Sequence, residues 1–294
     1  MLIFLNGFLV PEGAAKVSVL DRGFLYGDGV FETLRAYNGT IFRCDDHIDR
    51  LFQSAGAISI QLPFTKEYFK EALYRTLQEN NLQDAYLRLA VTRGESEPGL
   101  DIEGCSNPTV IIIPKAFSGY PGELYERGIR AAVVNTRRMP SSVLDPQIKS
   151  LNFLNNIMAR IEAKGFNAAE GFMLNTDGYV AEGTVSNIFI VKDGVIKTPP
   201  LSVGILDGVT RSIVIDLAKG NSIPLIEQPF YPEELYNADE CFITSTIYEV
   251  MAVTSTAETQ IGNGKPGVLT KRLLKLFRFL TSGAKSYLKL FDKR

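Results

Sequence analysis

The sequence predicts an α+β protein of two domains, and three observations carry that expectation. Hairpin dipeptides recur, at Asn6-Gly7, Asn38-Gly39, Asp177-Gly178 and Asp193-Gly194, and such pairs between apolar runs select tight turns. Strand patterns outnumber helical ones, and hairpins outnumber strand–helix–strand units. That balance favours a large, curled mixed or antiparallel sheet over a doubly wound parallel one. The chain has 294 residues, about two domains of roughly 150 each. With 45% hydrophobic and 22% charged residues, it has the composition of a chain that buries a core.

In chain order, Leu2 to Leu5 and Phe8 to Val10 read as a hairpin, as do Val30 to Tyr37 and Thr40 to Arg43. Helical patterns follow at Asp45 to Ala57, opened by an Asp cap, and at Thr65 to Asn80, opened by Thr65. Tyr86 to Arg93 and Thr109 to Pro114 read as strands. These elements make a small N-terminal α+β domain over 1–116, and the Gly- and Pro-bearing stretch 117–122 is the expected linker. The larger domain, 123–294, opens with a strand at Ile129 to Thr136. A helix is expected from Lys149 to Lys164, with Leu151, Leu154, Ile157, Met158 and Ile161 as its core stripe. Strands from Gly171 to Lys197, a helix from Gly208 to Lys219, strands near Glu240 to Thr244 and Val250 to Thr254, and a last helix from Gly267 complete it.

Composition excludes several functions. Lys and Arg total 31 against 33 Asp and Glu, so no overall basic field recruits nucleic acid. No apolar run approaches the ~20 residues of a membrane span. The apolar opening is broken by Asn6-Gly7 and lacks a basic leader, so it does not read as a signal peptide. The three cysteines, Cys44, Cys105 and Cys241, have no paired spacing, which points to a reducing, cytoplasmic setting. The single histidine, His47, excludes the two-histidine zinc motifs and reads as a polar-face helix residue. No metal site is expected.

The chemistry becomes legible in a set of blocks. Asp21 to Glu32 (DRGFLYGDGVFE), His47-Ile48-Asp49-Arg50-Leu51, Ile148-Lys149-Ser150-Leu151-Asn152, Ala181 to Phe189 (AEGTVSNIF), Gly204 to Arg211 (GILDGVTR) and Ser245 to Val250 (STIYEV) follow one another across 1–280. In order and spacing they resemble the class IV, fold-type IV pyridoxal-phosphate enzymes. That family comprises branched-chain aminotransferases, D-amino acid aminotransferases and aminodeoxychorismate lyases.

The resemblance implies pyridoxal 5'-phosphate as cofactor and Lys149 as the catalytic lysine, which holds the cofactor and moves the substrate Cα proton. It implies Glu182 against the ring nitrogen, where a carboxylate favours a protonated ring. Arg50, Thr246 and the amides of Val209 and Thr210 would receive the phosphate, a fork of donors and a helix N-terminus both suiting phosphate oxygens. Leu206 would pack on the ring. Many relatives carry a tyrosine shortly after the lysine; Phe153 stands there in this chain, so the hydrogen bond of that hydroxyl to the cofactor is expected to be absent.

For the substrate, Tyr86-Leu87-Arg88 and Phe31-Glu32-Thr33-Leu34-Arg35 resemble branched-chain aminotransferases, with Thr33 in place of a glycine. Phe31, Arg35, Tyr86, Arg88 and Ile247 are the candidate substrate residues. The favoured activity is amino transfer between branched-chain or other aliphatic amino acids and 2-oxoglutarate. An aminodeoxychorismate lyase is the alternative. A D-amino acid aminotransferase ranks lower, because 94–100 carry no Arg-x-His. The expected partners are small-molecule amino and keto acids and a second copy of the chain in a homodimer, with no nucleic acid or membrane. The stretch Lys271 to Arg294, with eight basic residues and Asp292 as its one acid, is expected to dock on the protein's own acidic surface.

Overall fold

The computed structural model describes residues 1–105 and 107–282. The chain forms two compact units, Met1–Ser118 with Ile148–Phe153, and Gly119–Gln147 with the chain from Leu154 onward.

In the first unit, β1 (Leu2–Leu5) and β2 (Phe8–Pro11) turn through Asn6 and Gly7, both at positive φ. A short helix, α1 (Arg22–Tyr26), is capped by the Asp21 carboxylate. There follow β3 (Gly29–Tyr37), β4 (Thr40–Ile41), α2 (Cys44–Ala57), α3 (Lys66–Glu79), β5 (Ala85–Thr92) and β6 (Thr109–Ala116). The strands form one antiparallel sheet in the order β2-β1-β6-β5-β3-β4. Val30, Leu34, Leu87, Leu89 and Val91 share a core with Leu51 of α2 and Phe69 and Leu73 of α3. Because side chains alternate along a strand, Phe31, Thr33 and Arg35 and their neighbours Tyr86 and Arg88 lie on the other face. Thr65 caps α3 as expected, its hydroxyl accepting from Tyr68 N–H. The Asp cap expected for α2 is absent. Arg43, at φ 50°, precedes the helix without a side-chain cap, and Asp45 and Asp46 sit in the first turn, where they favour the positive helix end.

The helix expected from Lys149 begins only at Leu154. Residues 149–151 instead pair with the start of β3. Phe31 N–H donates to Lys149 O at 2.9 Å, Leu151 N–H donates to Gly29 O at 2.9 Å, and Val30 faces Ser150 in an antiparallel bridge. A backbone spent on that pairing cannot close helical bonds, and this is what returns Ile148–Phe153 to the first unit.

The second unit contains α4 (Gly122–Arg127), β7 (Ile129–Val133), α5 (Leu154–Gly165), β8 (Glu170–Leu174), β9 (Val180–Gly183), β10 (Asn187–Lys192), β11 (Val195–Thr198), α6 (Val209–Gly220), β12 (Leu225–Glu227), α7 (Pro232–Tyr236), β13 (Glu240–Ser245), β14 (Glu249–Ser255) and α8 (Val268–Thr281). Its sheet is mixed, in the order β12-β11-β10-β13-β14-β7-β8-β9. Only residues 184–186 connect the edge strand β9 to β10 near the opposite edge. Three residues span roughly 10 Å, so the sheet must curl until those strands are neighbours.

The apolar stripe expected as core on the helix after Lys149 is on its exposed side. Leu154 is 69% exposed and Ile161 60%, with Ile157 and Met158 also exposed. The buried side carries Asn156, Ala159 and Ala163. Close approach explains the choice: a Cβ on Gly171 of β8 would meet Ala163 Cβ at 3.0 Å and Ala159 O at 3.1 Å, so larger residues cannot face the sheet there. Thr270, Leu273, Leu276 and Phe277 seat α8, and Arg278 Nε pairs with Glu249 at 2.8 Å. The rest of the basic stretch, 283–294, lies outside the described residues. Among the described residues no helix is long and apolar enough to cross a membrane, and no cluster of ligands suits a metal ion.

Candidate active site

Each unit carries its own set of the residues that the sequence singles out. In the first unit, Lys149 has a fixed backbone. Its carbonyl accepts from Phe31, and its N–H donates to Ser54 Oγ of α2 at 3.1 Å. Its Nζ lies 4.6 Å from the centroid of the Phe31 ring, and the Arg88 guanidinium lies 4.0 Å from the same centroid. The negative face of an aromatic ring attracts such cations. Arg88 is half-buried, burial lowers its pKa from the ordinary value, and no carboxylate pairs with it among the described residues. Phe153 meets Phe31 edge-on, with ring centroids 5.3 Å apart; it adds an apolar wall where a tyrosine would add a hydroxyl. Arg35 is buried, its guanidinium 4.3 Å from the Tyr37 ring and 5.0 Å from that of Phe117. Tyr86 packs on Phe117.

Arg50, on α2, grips Glu32 as a fork, Nε to Oε1 at 2.6 Å and Nη2 to Oε2 at 2.8 Å. His47 Nδ1 lies 2.8 Å from Glu32 Oε2. The polar-face reading of His47 is therefore corrected: it is 2% exposed, because residues three apart on a helix share a face and Arg50 faces the sheet. Glu32 is fully buried. Burial alone would raise its pKa, but the charge and hydrogen bonds of Arg50 and His47 outweigh that and hold it far below the carboxylate range.

In the second unit, Glu182 on β9 is 5% exposed. Leu206 N–H donates to its Oε2 at 3.0 Å, and Asn187 Nδ2 approaches the same oxygen at 3.4 Å. Arg138 Nε stands 2.7 Å from Oε1, its N–H directed off the hydrogen-bond line, so charge and proximity hold this pair. The loop carrying Leu206 is clamped further. Asn187 donates to Leu206 O at 3.0 Å and Gln147 Nε2 donates to Ile205 O at 2.6 Å.

Beyond that loop, Gly208 precedes α6 with no side-chain cap, and a Cβ there would stand 2.0 Å from Asn187 Oδ1. The first N–H groups of α6, those of Val209 and Thr210, lack helical acceptors and mark the positive end of its dipole. Arg211 ties this end down, donating to Pro199 O at 3.0 Å and pairing with Glu227 at 2.6 Å. Thr246 and Ile247 lie in the turn between β13 and β14, both half-buried, and Tyr248 N–H closes the turn on Ser245 Oγ at 3.1 Å.

Against known proteins, the family described as amino-transferase class IV matches residues 29–256. The chain belongs to the class IV aminotransferases. A putative branched-chain-amino-acid aminotransferase of Methanocaldococcus jannaschii is 47% identical over 293 residues, 100% of both chains. A D-alanine aminotransferase of Bacillus licheniformis is 38% identical, covering 93% of this chain and 94% of its own. The crystal structure of a T.th. branched-chain amino acid aminotransferase with pyridoxamine 5'-phosphate superposes with a TM-score of 0.93 at 32% identity, covering 97% of this chain and 96% of that one. The branched-chain aminotransferase of Thermoproteus uzoniensis with norvaline gives 0.91 at 37% identity, covering 98% and 97%. The fold is thus the two-unit α+β fold with a curled mixed sheet that the sequence predicts for a fold-type IV enzyme.

Sequence reasoning gave no role to Glu32, His47, Arg138, Asn187 or Gln147. Glu32 had a signal: with Val30, Leu34 and Ala36 it occupies the core-facing parity of β3, where a lone charge demands a partner. Arg138 had none, since nothing in Arg137-Arg138 distinguishes one arginine from the other.

Proposed function

We propose that this enzyme is a pyridoxal-phosphate-dependent aminotransferase acting between branched-chain or other aliphatic amino acids and 2-oxoglutarate. The observation that carries this reading is the Phe31 ring with Lys149 and Arg88 on it. An amine, an apolar wall and a carboxylate-free guanidinium are the three features that such a substrate pair needs.

The residues fit the cofactor. Glu182 is a buried carboxylate whose direction is set by Leu206 N–H and Arg138, suited to a protonated pyridine nitrogen. The α6 N-terminus, where Gly208 leaves no room for a side chain, suits a phosphate. We assign the phosphate to Arg50, Val209, Thr210 and Thr246, the ring face to Leu206 and the covalent attachment to Lys149. The bound cofactor supplies an electron sink for the Cα–H bond. Glu182 holds the ring-nitrogen proton that makes the sink effective. Lys149 Nζ takes the proton from the substrate Cα and returns it. Arg88 receives a substrate carboxylate by charge-assisted hydrogen bonds, Phe31 faces the aliphatic chain, and Arg35, Tyr86 and Ile247 are assigned to the substrate with them.

Amino and keto acids are the small-molecule partners, and we propose a homodimer seated on the exposed α5 stripe. The three free cysteines suit the reducing cytoplasm. A panel of L- and D-amino donors against 2-oxoglutarate, run beside pyruvate release from aminodeoxychorismate, tests the assignment. Transfer from L-leucine, L-isoleucine and L-valine, abolished by Lys149→Ala, is expected. Preference for D-alanine would move the protein to its D-alanine aminotransferase relatives, and pyruvate release without amino transfer would move it to the lyases.

A further inference from the structure

Glu170 is a fully buried carboxylate of the second unit, outside every role assigned above. Its Oε1 accepts from Gly171 N–H at 2.9 Å, from Thr184 N–H at 2.9 Å and from the Thr184 hydroxyl. Its Oε2 accepts from Ser186 Oγ at 3.0 Å. These bonds hold the 184–186 turn that follows Glu182. A further bond closes the turn, from Gly183 N–H to Ser186 O at 2.7 Å, and Asn156 of α5 donates to Thr184 O at 2.9 Å. A Cβ on Gly183 would lie 2.2 Å from Ser186 Oγ and 3.0 Å from Glu170 Cδ, so the turn is moulded onto this carboxylate.

The same carboxylate reaches a second loop. Arg160 Nη1 lies 3.4 Å from Glu170 Oε1, and the charge and donors of the same guanidinium act on the Tyr248 hydroxyl. Tyr248 is 7% exposed and stacks on Tyr120 at 5.1 Å. It directly follows Thr246 and Ile247. Its pKa is pushed up to about 12, by burial first and by the nearby Glu170 charge second, so it stays neutral at physiological pH.

We propose that Glu170 is a positioning residue that fixes, from one buried point, the Glu182 turn directly and the Thr246-Ile247 turn through Arg160 and Tyr248. It touches neither substrate nor cofactor. The Thr184 amide and the Arg160 guanidinium converge on one carboxylate oxygen, so the two loops keep one relative setting. The inference rests on the assignment of Glu182 and Thr246 to the cofactor.

The variants Glu170→Ala, Glu170→Gln and Tyr248→Phe test it, each purified, checked for folding by far-UV circular dichroism and titrated with pyridoxal phosphate by absorbance. Hydrogen bonds to a charged group are worth ~1.5–3 kcal/mol, one to two decades. Glu170→Ala is expected to weaken cofactor binding at least about tenfold and to lower kcat with a smaller change in KM. Glu170→Gln keeps an acceptor for both amides while its NH2 group donates to the Ser186 hydroxyl, and should recover most of both properties. Tyr248→Phe is expected to weaken cofactor binding by several-fold. Should Glu170→Ala fail to fold, Ser186→Ala, which removes one bond from the same carboxylate, carries the comparison and should weaken binding in the same direction. A folded Glu170→Ala or Ser186→Ala protein with wild-type cofactor affinity and kcat would overturn the positioning role. A wild-type protein that binds no pyridoxal phosphate would instead overturn the cofactor assignment, so the two failures are distinct.

Discussion

Arg138 Nε stands 2.7 Å from Glu182 Oε1, both side chains largely withdrawn from solvent. Together with Leu206 N–H on the other oxygen, this fixes the direction of the carboxylate plane. Replacing Arg138 by methionine keeps much of the apolar stem and removes the charge. We expect kcat to fall by one to two decades, the equivalent of one charge-assisted contact, with cofactor still bound. Arg138→Lys should recover part of the rate. Stopped-flow measurement of the half-reaction checks this, and an unchanged rate in Arg138→Met would remove the arginine from the machinery.

Glu32 gives a prediction in pH. Its folded pKa lies well below its ordinary 4.5, so ionisation contributes stability that is present above about pH 4.5 and is lost as the solution is acidified towards the folded value. Glu32→Gln breaks the fork with Arg50 and leaves that guanidinium and His47 without their charged partner. The variant should be less stable than wild type at pH 7, and the gap should narrow steadily below about pH 4.5. Urea unfolding midpoints measured from neutral pH down into the acid range decide it. A gap that stays constant or widens on acidification would contradict the assignment of the shift.

The α5 stripe predicts an oligomer effect. Leu154, Ile157, Met158 and Ile161 are exposed in the single chain, and contiguous apolar surface of this kind marks interfaces. The double variant Ile157→Lys with Ile161→Lys should therefore keep its fold and lose self-association. Sedimentation velocity reads the outcome directly. A dimer that survives both charges would place the interface elsewhere.

What the sequence shows and what it conceals both have physical causes. Hairpins were legible because Asn-Gly and Asp-Gly pairs encode their own turn, as the positive φ angles at Asn6, Asn38 and Asp193 show. The start of α5 was misplaced because the periodicity after Lys149 is helical, and only a tertiary event, the pairing of 149–151 with β3, overrides it. The same periodicity cannot say which side of a helix faces the core. On α5 the small residues Ala159 and Ala163 won the inner side through the close approach of Gly171. The candidate site residues came from block order, which finds residues with a fixed place in a motif. Arg138 and Gln147 lie between blocks and act through contacts distant in sequence, so only the folded chain reveals them.

Substrate choice follows from Arg88, Thr33 and Phe31. Arg88 pairs with Thr33 in the β3–β5 register, on the sheet face away from α2 and α3, and its guanidinium lies on the Phe31 ring. Burial has already removed part of its hydration, which lowers its pKa, and no carboxylate compensates it among the described residues. An arriving carboxylate therefore gains a strong partner at little further desolvation cost, whereas an aliphatic chain gains only the apolar ring beneath. Arg88→Ala should for that reason impair 2-oxoglutarate more than a keto acid with an aliphatic side chain. The expected difference in kcat/KM is one to two decades, the worth of a charge-assisted hydrogen bond at ~1.5–3 kcal/mol. Arg88→Lys retains the charge but loses the planar fork, and should fall between the two. Steady-state kinetics with 2-oxoglutarate and with 4-methyl-2-oxopentanoate, each paired with the same amino donor, separate the possibilities. Equal losses for both acceptors would mean that Arg88 supports the strand rather than selecting the distal carboxylate.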